Sequence, residues 1–146
     1  MPREYRLGPA RRLVNVAVKL LVRVGLGPPH TYLLAVRGRR TGRRFTTPVR
    51  LVERDGERWL VAPYGAVAWV KNARAAREVE LSRGRRTERA GIAELSAAEA
   101  APVLAEYVRA VAVVRPFFEA GPGSPVEAFA AEAGLHPVFR LRATGA

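Results

Sequence analysis

The segment YLLAVRGRRTGRRFTTPVRLVERDGERWLVA, from Tyr32 to Ala62, decides the fold. It contains three short β-prone runs, Tyr32 to Val36, Phe45 to Val52 and Arg58 to Ala62, and the tight-turn pair Asp55-Gly56 separates the last two. The pattern predicts an antiparallel meander. In the middle run, every second residue lies on one face of the strand: Phe45, Thr47, Val49 and Leu51.

The chain after this meander completes an α+β pattern. Ala66 to Ala76 can form a short helix, and Glu78 to Ser82 with Thr87 to Leu95 is typical of a second hairpin. His136 to Arg142 alternates apolar and basic residues and predicts a closing strand. The sequence therefore predicts about six antiparallel strands in one domain, with helices flanking them.

Two helices are expected in the second half of the chain. Ser96 with Glu99, and Ser124 with Glu127, have the spacing of capping boxes, in which side chains satisfy the free backbone groups of a helix start. The segment Arg115 to Gly123 between the helices is rich in breakers and predicts a loop over the sheet. Its Phe117 and Phe118 are either an apolar lid or anchors of that loop.

A helix is also predicted at the start of the chain, from Pro9 to Val24. It belongs to a lead-in of residues 1–29, which precedes the barrel and helices of residues 30–146. The helix either packs on the core or rests as a basic amphipathic helix on a membrane surface. Its polar residues fall three to four apart on one stripe: Arg12, Asn15, Lys19 and Arg23.

The net charge of the 146-residue chain is +12, from 25 basic and 13 acidic residues. Such an excess favours an anionic partner, which could be nucleic acid, an anionic membrane surface or a phosphorylated cofactor. The apolar stretch from Leu13 to Leu26 is broken by charged residues and is too short to span a membrane. The chain shows no signal peptide, so we expect a cytoplasmic protein, with membrane association left open through the first helix.

The residues that commonly perform catalysis are scarce. Cysteine is absent, which excludes thiolate nucleophiles and cysteine-ligated metals. Two of the three serines are predicted helix caps, and neither His30 nor His136 has acidic neighbours spaced as in a metal site or a catalytic triad. If the protein is an enzyme, a cofactor supplies the reactivity.

The turn Gly38 to Arg43 is suited to hold a phosphate. It combines guanidinium groups, the Thr41 hydroxyl and glycine-permitted backbone amides in a short space. A similar segment recurs from Arg83 to Arg89, which we interpret as repeated turn chemistry and not as a duplicated unit. Exposed arginine turns also occur as solubilising turns or nucleic-acid contacts, so this feature alone does not choose among them.

An ordered set of five segments resembles the deazaflavin-dependent nitroreductase and quinone reductase family. The resemblance implies a split β-barrel like the FMN-binding fold. It also implies that coenzyme F-420, a deazaflavin, lies in a groove and passes a hydride to a quinone, nitro compound or other unsaturated acceptor. The segments are Val36–Arg43, Thr46–Val49, Val61–Gly65, Ala68–Asn72 and His136–Leu141.

The resemblance also assigns coenzyme contacts along the chain. The hairpin would bind the phosphate and anionic tail, the strand after it would line the groove, the next turn would follow the ring, and the short helix would close the pocket. In that order the residues are Arg39, Arg40, Thr41, Gly42 and Arg43; Thr46, Thr47 and Pro48; Ala62, Pro63, Tyr64 and Gly65; and Trp69 and Asn72. The chain departs from the family at Phe45, where a basic side chain is usual.

Reduction of an acceptor also needs a proton source, and Tyr64 and Tyr107 are the candidates. The alternatives are a split barrel that binds FMN, haem or a lipid, and a nucleic-acid module that uses both arginine turns. The second alternative is disfavoured because the turns contain no aromatic residues for base stacking. We therefore expect a small-molecule acceptor and no nucleic acid, with a homodimer and a peripheral membrane contact left open.

Overall fold

A computed structural model describes residues 9–23, 25 and 29–143. It confirms the α+β fold, with strands and helices in the predicted order. In chain order the elements are α1 (Pro9–Arg23), β1 (Thr31–Arg37), β2 (Arg44–Arg54), β3 (Glu57–Val61), α2 (Ala68–Ala76), β4 (Glu78–Arg83), β5 (Arg86–Glu94), α3 (Ala97–Ala110), α4 (Val126–Glu132) and β6 (Val138–Ala143).

The six strands close into an antiparallel barrel in the order β1-β2-β3-β6-β5-β4. Leu34 pairs with Thr47, and Val36 pairs with Phe45, so the predicted alternating face of β2 points into the barrel. Leu34 and Phe139 are almost fully buried there. The alternation read from the sequence thus fixes which side chains fill the barrel.

A second apolar core lies outside the barrel. Val52 and Val61 point outward from β2 and β3, and they pack with Leu104 and Val108 of α3 and Phe129 of α4. The first capping box is confirmed, since the Ser96 side chain accepts a hydrogen bond from the Glu99 amide and the Glu99 side chain accepts one from the Ser96 amide. This layer of helices covers one side of the barrel.

The second predicted capping box is wrong. Helix α4 starts after Pro125, without a side-chain cap. The Ser124 hydroxyl instead accepts a hydrogen bond of 2.9 Å from the Gly121 amide. A serine hydroxyl hydrogen-bonds to nearby backbone amides in turns as well as at helix starts, and here the turn amide takes the hydroxyl that the spacing assigns to the helix.

The segment between α3 and α4 is only partly a loop, since Ala112–Phe117 forms a 3-10 helix. Phe117 and Phe118 are both buried in the outer core. They are therefore anchors of this segment, and the lid interpretation is wrong. Burial of two large rings gains more free energy than their exposure at a rim would.

Helix α1 lies against the outer faces of β1, β2 and β4. Lys19, on the predicted polar stripe, is half-buried, whereas the side chains of Arg12, Asn15 and Arg23 lie outside the described residues. Among the residues described, no helix has the length and apolar character to cross a membrane. The large apolar side chains exposed on α1 are Leu13, Val14, Val16, Leu20 and Leu21.

The strand directions separate the two arginine turns. Since neighbouring strands are antiparallel throughout, the 38–43 turn, the 62–67 segment and α2 share one end of the barrel, which we call the upper end. The turns at residues 55–56 and 84–85 share the other, lower end. The arginine turns therefore do not form one continuous surface of the kind that the nucleic-acid alternative requires.

Candidate functional site

The hairpin at the upper end has a fixed backbone. The Gly38 amide donates to the Arg43 carbonyl at 2.7 Å, and the Gly42 amide donates to the Gly38 carbonyl at 2.9 Å. Gly42 has a φ of +74°, which favours glycine. The Phe45 ring packs so closely that a Cβ on Gly38 would lie 2.9 Å from it, and the Arg43 guanidinium lies 5.8 Å from the centre of that ring. Phe45 thus supports the turn from below.

Arg39 ties the hairpin to α2. Its backbone amide and its Nη1 atom both donate to the Asn72 Oδ1 atom, at 3.1 and 2.7 Å. Asn72 is buried and belongs to α2. Because an amide oxygen is neutral, the bond fixes the position of Arg39 without neutralising its charge. The sequence assigns Arg39 and Asn72, from distant segments, to the same site, and the structure brings them into contact.

The upper end carries positive charge that lacks nearby carboxylates. Arg37, Arg40 and Arg43 are exposed, and none forms an ion pair with the part of the chain that the structure describes. Arg44 does pair, with Glu80. Unpaired guanidinium groups around a rigid turn are suitable donors for a phosphate or a carboxylate.

Segment 62–65 follows β3 at the same end. The Ala62 side chain is fully buried inside the barrel, so it offers nothing to a ligand outside. Gly65 has a φ of +86°. Tyr64 is half-buried, and its ring meets Phe117 edge-on at a centroid distance of 4.9 Å. Of these residues, Tyr64 has the group suited to chemistry.

A buried pair behind this segment was not predicted as part of the site. His136 Nδ1 donates to the Pro63 carbonyl at 2.9 Å, and its Nε2 lies 2.8 Å from Glu132 Oε1. Phe118 stacks on the imidazole at 3.7 Å. Both members of the pair are buried. The four-residue spacing of Glu132 and His136 is the signal that could have revealed the pair.

The three predicted groove residues of β2 do not share one surface. Thr46 pairs with Ala35 and Pro48 pairs with Leu33, so both point outward. Thr47 points into the barrel. Trp69, on α2, is half-buried with its ring centre 6.4 Å from that of Phe139. Trp69 therefore helps to close the upper end of the barrel core.

Tyr107 lies deeper than Tyr64. It is buried in the outer core, and burial raises the pKa of its hydroxyl above the ordinary range, with a smaller contribution from nearby Tyr64. Together with Arg50 and Glu106 it lines a small cavity of about 110 Å³ between β2 and α3. Of the two candidate tyrosines, Tyr64 is the one on the upper-end segment.

A larger cavity, of about 330 Å³, opens beside the hairpin between β1 and β4. Arg37 and the carboxylates of Glu78 and Glu80 lie on its wall. Both carboxylates are paired with arginines. None of the coenzyme contacts that the sequence assigns is among its lining residues.

Comparison with known proteins supports the family. The profile of the F420H2-dependent quinone reductase family matches residues 10–117, which is most of the chain. No curated protein matches the sequence.

Solved structures share the fold at low sequence identity. A protein of unknown function from Agrobacterium tumefaciens is similar with a TM-score of 0.60 and 16% identity, over 99% of this chain and 59% of that one. The chain therefore spans less than two thirds of that relative. A chain described as a domain-swapped dimer has a TM-score of 0.57 at 19% identity, over 92% of this chain and 100% of its own. An F420-H2 dependent reductase, FDR-A, has a TM-score of 0.54 at 20% identity, over 78% of this chain and 95% of its own.

Proposed function

Because the chain belongs to the F420H2-dependent quinone reductase family, we propose that it transfers a hydride from reduced coenzyme F-420 to a quinone, nitro compound or other unsaturated small molecule. The observation that carries the assignment is the family match across the hairpin, segment 62–65 and α2. These three segments meet at one end of the barrel. The split-barrel fold agrees with the assignment.

The donor groups of the upper end fit this coenzyme, which carries a phosphodiester and a glutamate tail. Arg40 and Arg43 are exposed and lack carboxylate partners among the described residues, so they are available to the anionic groups. Arg39 is held in place by Asn72. We assign the phosphate and tail to this arginine turn.

The remaining residues of the site hold its segments in position and close the barrel beneath it. Bound coenzyme F-420 supplies the hydride. His136 holds the Pro63 carbonyl and so fixes the course of segment 62–65. Trp69 packs toward Phe139 and closes the barrel below the site. Tyr64, at the rim of this segment, is our candidate for the group that delivers a proton to the reduced acceptor.

The Tyr64→Phe variant tests the proton donor. We expect kcat to fall about a hundredfold, because general acids typically contribute at least that much, while the dissociation constant of the coenzyme stays the same. Steady-state oxidation of reduced coenzyme F-420 by a soluble quinone gives kcat, and a fluorescence titration gives the affinity. Tyr107→Phe is the matched control, since Tyr107 is buried and its loss should leave kcat nearly unchanged. An unchanged kcat in Tyr64→Phe would remove Tyr64 from the reaction.

The same assay tests the function as a whole. Wild-type protein should oxidise reduced coenzyme F-420 only when a quinone or nitro compound is present. If the protein binds the coenzyme but oxidises it with no quinone and no nitro compound, the proposed reaction is contradicted and only the binding function remains.

We further propose that the exposed apolar face of α1 contacts a second copy of the chain. Exposed apolar patches of this kind mark interaction surfaces, and five of the described side chains of α1 are large, apolar and exposed. The Leu13→Lys/Leu20→Lys variant should shift wild-type dimer to monomer in sedimentation equilibrium. Wild type that is monomeric at every concentration would contradict this proposal. If such a monomer also bound lipid vesicles, the face would belong to a membrane contact instead.

A further inference from the structure

The second arginine turn lies at the lower end of the barrel, where the proposed function assigns it no role. It borders an open cavity of about 820 Å³. Arginines from β3, β4, β5 and the turn between the last two converge on this cavity. Its polar wall includes Arg58, Arg83, Arg85, Arg86, Tyr32 and Thr87.

The backbone around this cavity is closely packed. Gly84 and Gly25 have φ values of +59° and +81°, and a Cβ on Gly25 would meet the Gly84 Cα at 3.5 Å. The backbone at Gly25 therefore lies in van der Waals range of this turn, and both glycines adopt the left-handed conformation that favours glycine. Arg83 adds a second contact, because its Nη1 donates to the Thr31 carbonyl at 2.8 Å. These contacts hold the turn that carries the arginines in position.

The cavity has an excess of positive charge. Among the described residues that line the cavity, Glu88 is the one carboxylate, and it pairs with Arg58. Arg85 and Arg86 form no ion pair or hydrogen bond within residues 9–23, 25 and 29–143. Four arginines therefore line the cavity beside Glu88, and the Glu53 carboxylate lies near Tyr32 and Arg58.

Neutral donors accompany the charge. Thr87 contributes a hydroxyl to the wall. Tyr32 contributes a second hydroxyl, and burial, reinforced by the nearby Glu53 carboxylate, raises its pKa. Hydroxyl and guanidinium donors together are suited to an oxyanion with several acceptor oxygens.

We propose that the lower end of the barrel is a second anion site, which binds a phosphate-bearing ligand through Arg85 and Arg86. Guanidinium forks match phosphate geometry, and the cavity of about 820 Å³ is large enough for a phosphate ester. The site is separate from the coenzyme site, because the seven residues of β1 place about 20 Å between the two ends.

Pyrophosphate is the probe, and the background variant is Arg40→Ala/Arg43→Ala, in which the upper turn is disabled. Calorimetric titration should detect one pyrophosphate site in this background. Adding Arg85→Ala/Arg86→Ala should weaken that site at least tenfold, since two charge-assisted contacts are lost. Adding Arg109→Ala/Arg142→Ala instead changes the net charge equally and should leave the site intact, because neither residue lines the cavity.

Vesicles of phosphatidylglycerol distinguish a free phosphate ester from a lipid headgroup. The protein could bind vesicles but not pyrophosphate, and lose the vesicle binding only in the variant that lacks Arg85 and Arg86. That result would identify the phosphate-bearing ligand as a lipid headgroup. Equal pyrophosphate and vesicle binding by both charge-matched variants would overturn the proposal. Thermal unfolding of each variant verifies that it is folded. The Arg85→Ala/Arg86→Ala variant with an intact upper turn should bind the coenzyme as tightly as wild type does. A failure of the second anion site can therefore be distinguished from a failure of the proposed function.

Discussion

The Arg40→Ala variant is expected to bind coenzyme F-420 about 2 kcal/mol more weakly than wild type, a loss of roughly thirtyfold in affinity. Arg40 is exposed on the rigid 38–43 turn and has no carboxylate partner among the described residues. Its charge is therefore free to contact the phosphate or tail of the coenzyme, and hydrogen bonds between charged groups are stronger than neutral ones.

Two controls separate this contact from general charge. Arg74→Ala removes a positive charge from α2 that already pairs with Glu94, and it should change the affinity little. Arg40→Lys keeps the charge but loses the planar fork, so an intermediate affinity is expected. If fluorescence titration at low salt gave the same dissociation constant for Arg40→Ala and wild type, Arg40 would not belong to the site.

The Glu132→Ala variant is expected to lose about 3 kcal/mol of unfolding free energy, because removal of one partner from a buried polar pair leaves the other uncompensated. Glu132 Oε2 accepts from the amides of Glu119 and Ala120, at 3.2 and 2.8 Å. Its Oε1 lies 2.8 Å from His136 Nε2. The Ala120 amide and the His136 ring would both lose this partner at buried positions.

Glu119→Ala is the matched control for this variant. Glu119 is exposed, so its loss should change the unfolding free energy by no more than about 0.5 kcal/mol. Urea denaturation of the two variants gives the comparison directly. Equal stabilities would mean that Glu132 is not a structural support of the site.

The barrel could be predicted because its strands alternate clearly. Phe45, Thr47, Val49 and Leu51 recur with a period of two, and the structure turns that face toward the barrel interior, with Phe45 exposed at the upper rim. The first capping box was equally readable, since the contacts of Ser96 and Glu99 are local in sequence. Features that depend on neighbouring residues alone were therefore recoverable.

Features that depend on distant partners were not recoverable. The spacing of Ser124 fits a helix cap, yet its hydroxyl bonds to Gly121. Arg39 meets Asn72 and His136 meets Pro63 only because the barrel brings their segments together. Local spacing cannot reveal which of several acceptors a side chain reaches once the chain has folded.

The two arginine turns likewise show that local sequence does not reveal the surroundings in which a segment functions. Their sequences are similar, but β1 and β4 run in opposite directions and carry them to opposite ends of the barrel. One turn lies beside Asn72, and the other borders the cavity at the lower end. Their different surroundings lead us to assign them different ligands.

The central claim is that the upper end of the barrel binds a deazaflavin, and a fluorescence titration of the wild-type protein with coenzyme F-420 and with FMN tests it most directly. We predict saturable binding of coenzyme F-420 that weakens as salt is added, since guanidinium contacts to an anion are screened, and weaker binding of FMN. Tight binding of FMN with no binding of coenzyme F-420 at low salt would contradict the claim.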